Sequence, residues 1–354
     1  MRNIIIAALL AISSAMTAQT ETTQYTPGVT AEGAVYFLPK TSIRIAVKIE
    51  KTTYTPGEFS QYAQQYLKIP NVVQYKTETN KICSIDITSH GVPDKTKGYA
   101  ITFDPKTSAS NIELSDDGIL LAINAEGQQA TEPEEFKAAP KQQKKDPREY
   151  LSEEILSAGS TAKMAELIAQ DIYEIRESWN LLTRGQADFM PKDGEQLRLM
   201  LKSLETQDKA MTQMFTGTTE QDTTEHIFYI TPDKTFKKQI LFRLSKKLGI
   251  VDHDNLAGEP YYIDFKDLTL LPEKVETPTK KKVDKNGVFV NVPGKAKMSI
   301  YKGNNITSTY DVLLAQYGHT EFLSGELFNK RYTTHLILSP ITGAIIKLDA
   351  EMPK

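Results

Sequence analysis

Between residues 43 and 50 the chain alternates Ile43, Ile45, Val47 and Ile49 with Arg44, Ala46, Lys48 and Glu50. A period of two puts every second side chain on one face, so this stretch predicts a strand with one side buried. Ala34 to Leu38 is another β-rich run, and Pro39-Lys40 between the two predicts the turn of a hairpin. Further strands are expected at Lys81–Thr88, Gly98–Asp104 and Gly118–Asn124, with Cys83 in phase with Ile85 and Ile87 and hence a small core residue. Within Glu58 to Lys68, Phe59, Tyr62, Ala63 and Tyr66 fall on one side of a helix.

The period then changes. Met164, Ile168, Ile172, Ile175, Trp179 and Leu182 recur at spacings of four and three, one stripe along an α-helix. This stripe predicts that Trp179 is buried. Leu197, Leu201, Leu204, Met211 and Phe215 form a second stripe, interrupted by Asp208, which only a partner or a wet edge would explain. Pro191 to Gln196 offers Asp193 as the N-cap of the second helix, so the two pack as an antiparallel hairpin. Past Gly217 the strand signal returns at Glu225–Thr231, Gln239–Ser245, Tyr261–Lys266, Val288–Val292, Ala296–Tyr301 and Gly343–Asp349. Gly287 to Pro293 (GVFVNVP) echoes Gly33 to Pro39 (GAVYFLP), which is either a duplicated β-unit or coincidence.

These elements give a predominantly β α+β fold, with antiparallel sheets or a sandwich flanking a central helical hairpin. Residues 1–18 read as a signal peptide: positive Arg2, an apolar stretch from Ile4 to Ile12, and small residues leading to cleavage after Ala18. The apolar stretch is about half of what a membrane-spanning helix needs. Residues 19–124 are expected to form an N-terminal β-rich domain and residues 149–216 the helical hairpin, with a β domain at 217–354. Residues 125–148 carry three prolines, many charges and few large apolar side chains, which predicts a flexible polar linker. With Cys83 as the one cysteine, stability must come from packing and not from an internal disulfide. Lys plus Arg at 42 against Asp plus Glu at 45 gives a net charge of -3. A nucleic-acid partner would need a concentrated positive surface, so none is expected.

The search for chemistry returns little. His90, His226, His253, His319 and His335 include no pair at the i, i+4 spacing of a helical zinc site, and His226 and His335 read as structural histidines. Asp252-His253-Asp254-Asn255 gathers oxygen ligands, but Leu256 and Ala257 stand where a calcium loop requires an oxygen donor and glycine. Ser324 near His319 is the nearest approach to a serine nucleophile, and no Gly-x-Ser-x-Gly elbow exists. No phosphate-cradling glycine motif occurs either. No catalytic, cofactor-binding or metal-binding residue is therefore assigned, and no cofactor is expected. Lys280-Lys281-Lys282 with Lys285 reads as a solvated basic loop, and Tyr261-Tyr262 as strand aromatics or a stacking surface for a glycan. Asn305-Ile306-Thr307 fits an N-glycan sequon. Asp222-Thr223-Thr224 is similar to a short bacterial O-glycosylation signal, with Thr223 as its candidate acceptor.

Four segments carry a family resemblance: Gly33 to Pro39 with its following strand, Arg184 to Pro191, Phe215-Thr216-Gly217, and Pro340-Ile341-Thr342-Gly343. With these the chain resembles the exported Bacteroidetes proteins of the domain-of-unknown-function 4831 family, over nearly all of its mature length. The resemblance implies export into a Gram-negative envelope, to the periplasm or the periplasmic face of the outer membrane. It supplies no activity. The function expected on these grounds is a non-enzymatic envelope protein that binds or scaffolds an envelope protein or glycan. The alternative is a secreted glycan-acting hydrolase, whose paired carboxylates need no fixed sequence spacing.

Overall fold

The computed structural model describes residues 21–24, 34–102, 111–131, 133–138, 140, 146–269, 287–328 and 333–352. The leader, its cleavage point at Ala18 and the lysines at 280–285 lie outside them. In chain order the strands are β1 (Glu21–Gln24), β2 (Ala34–Thr55), β3 (Thr77–Thr102), β4 (Ile112–Leu114), β5 (Leu120–Ile123), β6 (Thr218–Ile230) and β7 (Phe236–Ser245). They continue with β8 (Gly249–Val251), β9 (Glu259–Asp267), β10 (Gly287–Lys302), β11 (Asn305–Ser324), β12 (Thr333–Leu338) and β13 (Ile345–Glu351). The helices are α1 (Ala63–Tyr66), α2 (Glu153–Leu156), α3 (Thr161–Arg184) and α4 (Gly194–Thr216).

Three antiparallel sheets result, ordered β1-β3-β2-β6, β11-β10-β9-β7-β8 and β13-β12-β5-β4. The first two face each other as a sandwich. Ile43, Ile45, Val47 and Ile49 of β2 pack with Phe242 of β7, Ile263 and Phe265 of β9, and Met298 and Ile300 of β10. The period-two reading of residues 43–50 is thus correct in phase. Arg44, on the opposite face of β2, is buried as well because Glu225 of β6 meets its guanidinium at 3.0 Å. The third sheet closes a separate core, where Leu120, Ile123, Leu336 and Leu338 meet Tyr36, Leu38, Val288 and Val290. The predominantly β α+β class is the observed one.

Pro39-Lys40 makes no hairpin turn: β2 runs straight through it, and β3 runs through Gly91 and Pro93 where a break was expected. Proline disrupts a ladder by lacking an N–H. Here Pro39 lies opposite Pro93, next to a register shift between Phe37 and Pro39, so the deficit falls where the pairing is already irregular. Gly91 is needed for close approach, since a Cβ there would lie 2.0 Å from the Pro340 carbonyl oxygen. β10 likewise joins two predicted strands across a shift between Val292 and Gly294. The described part of the first echoed segment, Ala34 to Pro39, and Gly287 to Pro293 therefore occupy equivalent places. Each opens the first strand of a long antiparallel pair, shifts register near its proline, and lines the third core. Between them sits the Pro340 to Gly343 turn, where Asn291 donates its amide to the carbonyls of Pro39 and Thr342, both at 3.0 Å.

Sequence blocks and sheets do not coincide. β6 pairs with β2 and β12 pairs with β5, so the β-rich stretches before and after the helices share two sheets. Within the predicted linker, the described stretches up to residue 140 have no helix or strand, and Phe136 lies 5.8 Å under the Lys48 ammonium. The end of the linker is held down. Asp146 caps a short 3-10 turn over Pro147–Tyr150, and Arg148 grips Glu58 through two hydrogen bonds. The segment predicted as a helix at Glu58–Lys68 is shorter, a 3-10 turn running into α1; of its predicted face Phe59 and Ala63 are buried, Tyr62 and Tyr66 pack partly buried against the same core, and Leu67 joins them there.

Candidate functional site

The helical hairpin forms as the two stripes predict, and its ends follow from local chemistry. Ser160 caps α3, and Gly185 ends it with φ +68°, its N–H and that of Gln186 bonding back to Leu182 and Leu181. Asp193 then caps α4 by accepting from the N–H groups of Glu195 and Gln196 at 2.6 and 2.9 Å.

Burial divides the hairpin along its length. The base is packed: Ala165, Ile168, Ala169 and Ile172 of α3 meet Met211, Met214 and Phe215 of α4 around Phe59 and Ala63. Phe59 and Phe215 lie 5.7 Å apart, the Phe59 N–H bonds the Met214 carbonyl, and Gly57 approaches so closely that a Cβ would lie 2.2 Å from that oxygen. Towards the tip the covering thins, although Leu182 in the last turn of α3 stays buried. Trp179 is 42% exposed, which corrects its predicted burial; Leu199 is 58% and Phe189 65% exposed, and Leu181 and Met190 are exposed too. Two helices alone cannot enclose an indole when no third element covers the groove between them, and among the described residues the covering elements pack at the base.

A shallow groove of about 460 Å³ runs between the helices at this level, lined by Ile175, Trp179 and Leu204 with Arg176, Glu205 and Asp208. Asp208 interrupts the second stripe because its carboxylate accepts from Arg176 Nε at 2.6 Å, while Arg176 Nη2 donates to Thr212 at 3.1 Å. A residue 32 positions away resolves the anomaly, and no local pattern could have named it. The groove presents an aromatic ring, two aliphatic side chains and a fixed ion pair. Such a surface can bind, and of its two carboxylates, Glu205 and Asp208, the latter is already engaged by a cation.

A second opening, of about 570 Å³, lies between β3 and the second sheet. Lys81, Lys246, Lys302 and Glu259 line it with hydroxyls of Ser84, Thr307 and Ser308. Lys302 pairs with Glu259, and Lys81 pairs with Glu50 at 2.7 Å. Each hydrogen-bonded pairing raises its lysine and lowers its carboxylate from their usual values. These groups stay ionised across the neutral range, which suits electrostatic contact and not proton transfer.

The sequence-marked residues disperse over the fold. Cys83 is exposed and not in the core, because the register shifts between Lys48 and Ile49 and turns it out of phase with Ile85 and Ile87. Asp252 to Asn255 form a turn closed by the Asn255 N–H on Asp252, with Arg243 bonding the His253 carbonyl. No cluster of three metal-ligating side chains occurs among the described residues. His319 pairs with Glu321 at 2.9 Å and stands five residues from Ser324 on the same strand, a separation of about 17 Å. His335 bonds the Asn124 carbonyl, and His90 packs edge-on to Tyr229 at 5.4 Å. Burial and the nearby Arg44 charge lower the His90 pKa. Tyr261 stacks on Phe242 at 4.8 Å and Tyr262 on Tyr301 at 5.5 Å, so the adjacent tyrosines serve separate stacks. Asn305, Ile306 and Thr307 open β11, with Ile306 69% exposed. Thr223 lies half-buried on β6, the outer strand of the first sheet, opposite Glu50.

No helix among the described residues is long and apolar enough to cross a membrane. No curated protein and no solved structure matches the chain. The four resemblance segments now have places: the strand leading into the third core, the hairpin loop, the end of α4, and the turn held by Asn291. Sequence match agrees with that assignment over residues 32–346, and the chain belongs to the family described as a domain of unknown function (DUF4831).

Proposed function

We propose that this is a non-enzymatic binding or scaffolding protein of the cell envelope, and that it holds a partner protein at the distal half of its helical hairpin. The observation that carries this reading is the number of large apolar side chains exposed around the distal half of the hairpin, Trp179, Leu181, Phe189, Met190 and Leu199, beside a base packed into a core. Large apolar side chains gathered at one projecting end mark interaction surfaces, whereas single ones scattered elsewhere are ordinary. A rigid base with an open tip also costs little ordering entropy on binding. The leader-like residues 1–18 support export, to the periplasm or the periplasmic face of the outer membrane. A glycan-acting hydrolase is less well supported, because Arg176 engages Asp208 in the groove and Lys302 lowers Glu259 in the larger opening.

The test is capture from the native envelope with tagged wild-type protein beside a Phe189→Asp, Leu199→Asp double variant. The expected result is a discrete partner held by the wild type and lost from a variant whose melting temperature is unchanged. Equal recovery by both proteins would refute the hairpin as the binding surface.

A further inference from the structure

We infer that β13 is the contact strand of a two-fold dimer of this chain, a surface separate from the hairpin and independent of the reading above. β13 is the outermost strand of the third sheet, and all seven of its residues are exposed. It pairs with β12 on one side, and no strand among the described residues pairs with the other. Ile345, Ile346 and Leu348 are 39%, 49% and 40% exposed, and Met352 just beyond is 78% exposed. A free edge with apolar side chains invites another strand unless something guards it. The usual guards are weak here. The strand contains no proline, its one register shift lies near its start, the charge of Lys347 is balanced by Asp349 at 2.7 Å, and the one unbalanced charge, Glu351, stands at its last position, where the register described below sets it opposite Ile345 at the edge of the pairing.

A second copy fits this edge because the strand is self-complementary. With a two-fold axis through Leu348, perpendicular to the sheet, Lys347 of one copy faces Asp349 of the other, and the reciprocal pair forms at the same time. Leu348 meets its own copy, and Ile346 faces Ala350. Moving the axis by one residue sets Lys347 against Lys347 or Asp349 against Asp349, and facing like charges destabilise a strand pair. The charge pattern therefore selects one register. Leu348 stands opposite Leu336 in β12, and Leu336 is fully buried in the third core. The Leu348 pair consequently extends that core across the axis and joins two four-stranded sheets into one. A single strand pairing lies at the small end of specific interfaces, so the association is reversible and concentration-dependent.

Sedimentation equilibrium of the mature chain over a concentration series reads this directly. The wild type should rise toward twice the monomer mass, and Lys347→Asp should weaken association at least tenfold. Adding Asp349→Lys to that variant should restore it, because the exchanged charges face each other again; the rescue separates a lost interface from a damaged strand. In a Cys83→Ser background, Leu348→Cys should form an interchain disulfide under diamide and Ile346→Cys should not, since only residue 348 meets its own copy. A wild type that keeps the monomer mass throughout, an association untouched by Lys347→Asp, or equal cross-linking at 346 and 348 would overturn the proposal.

Discussion

The base and the tip of the helical hairpin are built from the same amphipathic repeat and have opposite fates. Ile168 and Ile172 are fully buried, while Trp179, two turns further along the same stripe, is 42% exposed. What separates them is company. The base meets the segment carrying Phe59 and α1, the 3-10 turn ending at Tyr150, and α2. Among the described residues, the groove at the tip is lined by the two helices alone. A hydrophobic stripe therefore states that a helix can be covered, and the rest of the chain decides how much of it is. The part left over is the uncovered apolar surface on which the proposed binding role rests.

Substitutions can break this contrast in order of size. Ile172→Asp places an unpaired charge among buried apolar groups and should destabilise the protein by about 3–5 kcal/mol, measured by chemical denaturation. A loss under about 1 kcal/mol would show that the base is not a tight core. Asp208→Ala frees Arg176 at the boundary between base and tip. The pair is partly exposed, 39% and 30% at the side chains, so solvent screening limits the expected loss to about 1 kcal/mol or less. Leu199→Asp at the tip should change stability by no more than about 0.5 kcal/mol in either direction, because nothing covers that position.

The smallest effect concerns Asp171, on α3 at the base. Burial raises its pKa, and the neighbouring Glu174 and Glu154 carboxylates add to the shift. A carboxyl raised in the folded state is protonated more readily there than in the unfolded chain. Its penalty is thus present above the folded pKa and fades as pH falls through that value. Asp171→Asn should raise the melting temperature slightly at neutral pH, with the gain shrinking on acidification. An unchanged or lowered melting temperature at neutral pH would mean that the carboxylate is well solvated.

Much of this was legible in sequence, for identifiable reasons. The alternation at residues 43–50, the two helical stripes and the Asp193 cap are local patterns, and local physics forms them. The failures all involve a distant partner. Pro39 does not break β2 because Pro93 lies across from it, and Cys83 leaves the core because one residue is inserted into the ladder against β2. Asp208 is explained by Arg176 on the other helix, and Trp179 by a neighbour that no element supplies. The 20-residue β11 was missed because Gly318 and its many Thr and Ser residues obscure its alternation, although its pairing with β10 keeps it straight. As for the candidate site, Ile175, Trp179 and Leu204 of the groove were named in the two stripes, whereas the exposed Leu181, Phe189, Met190 and Leu199 lie off them, and no local pattern says which side chains stay uncovered.

Trp179 is the only tryptophan in the chain, so intrinsic fluorescence reports on the distal groove alone. In the purified, folded protein the indole should emit at the long wavelengths of a solvated ring and be readily quenched by acrylamide, with little further red shift on unfolding. A blue-shifted, quencher-resistant emission that moves to the red only when the protein unfolds would mean that the tip is already covered, and that the surface assigned to a partner belongs to the core.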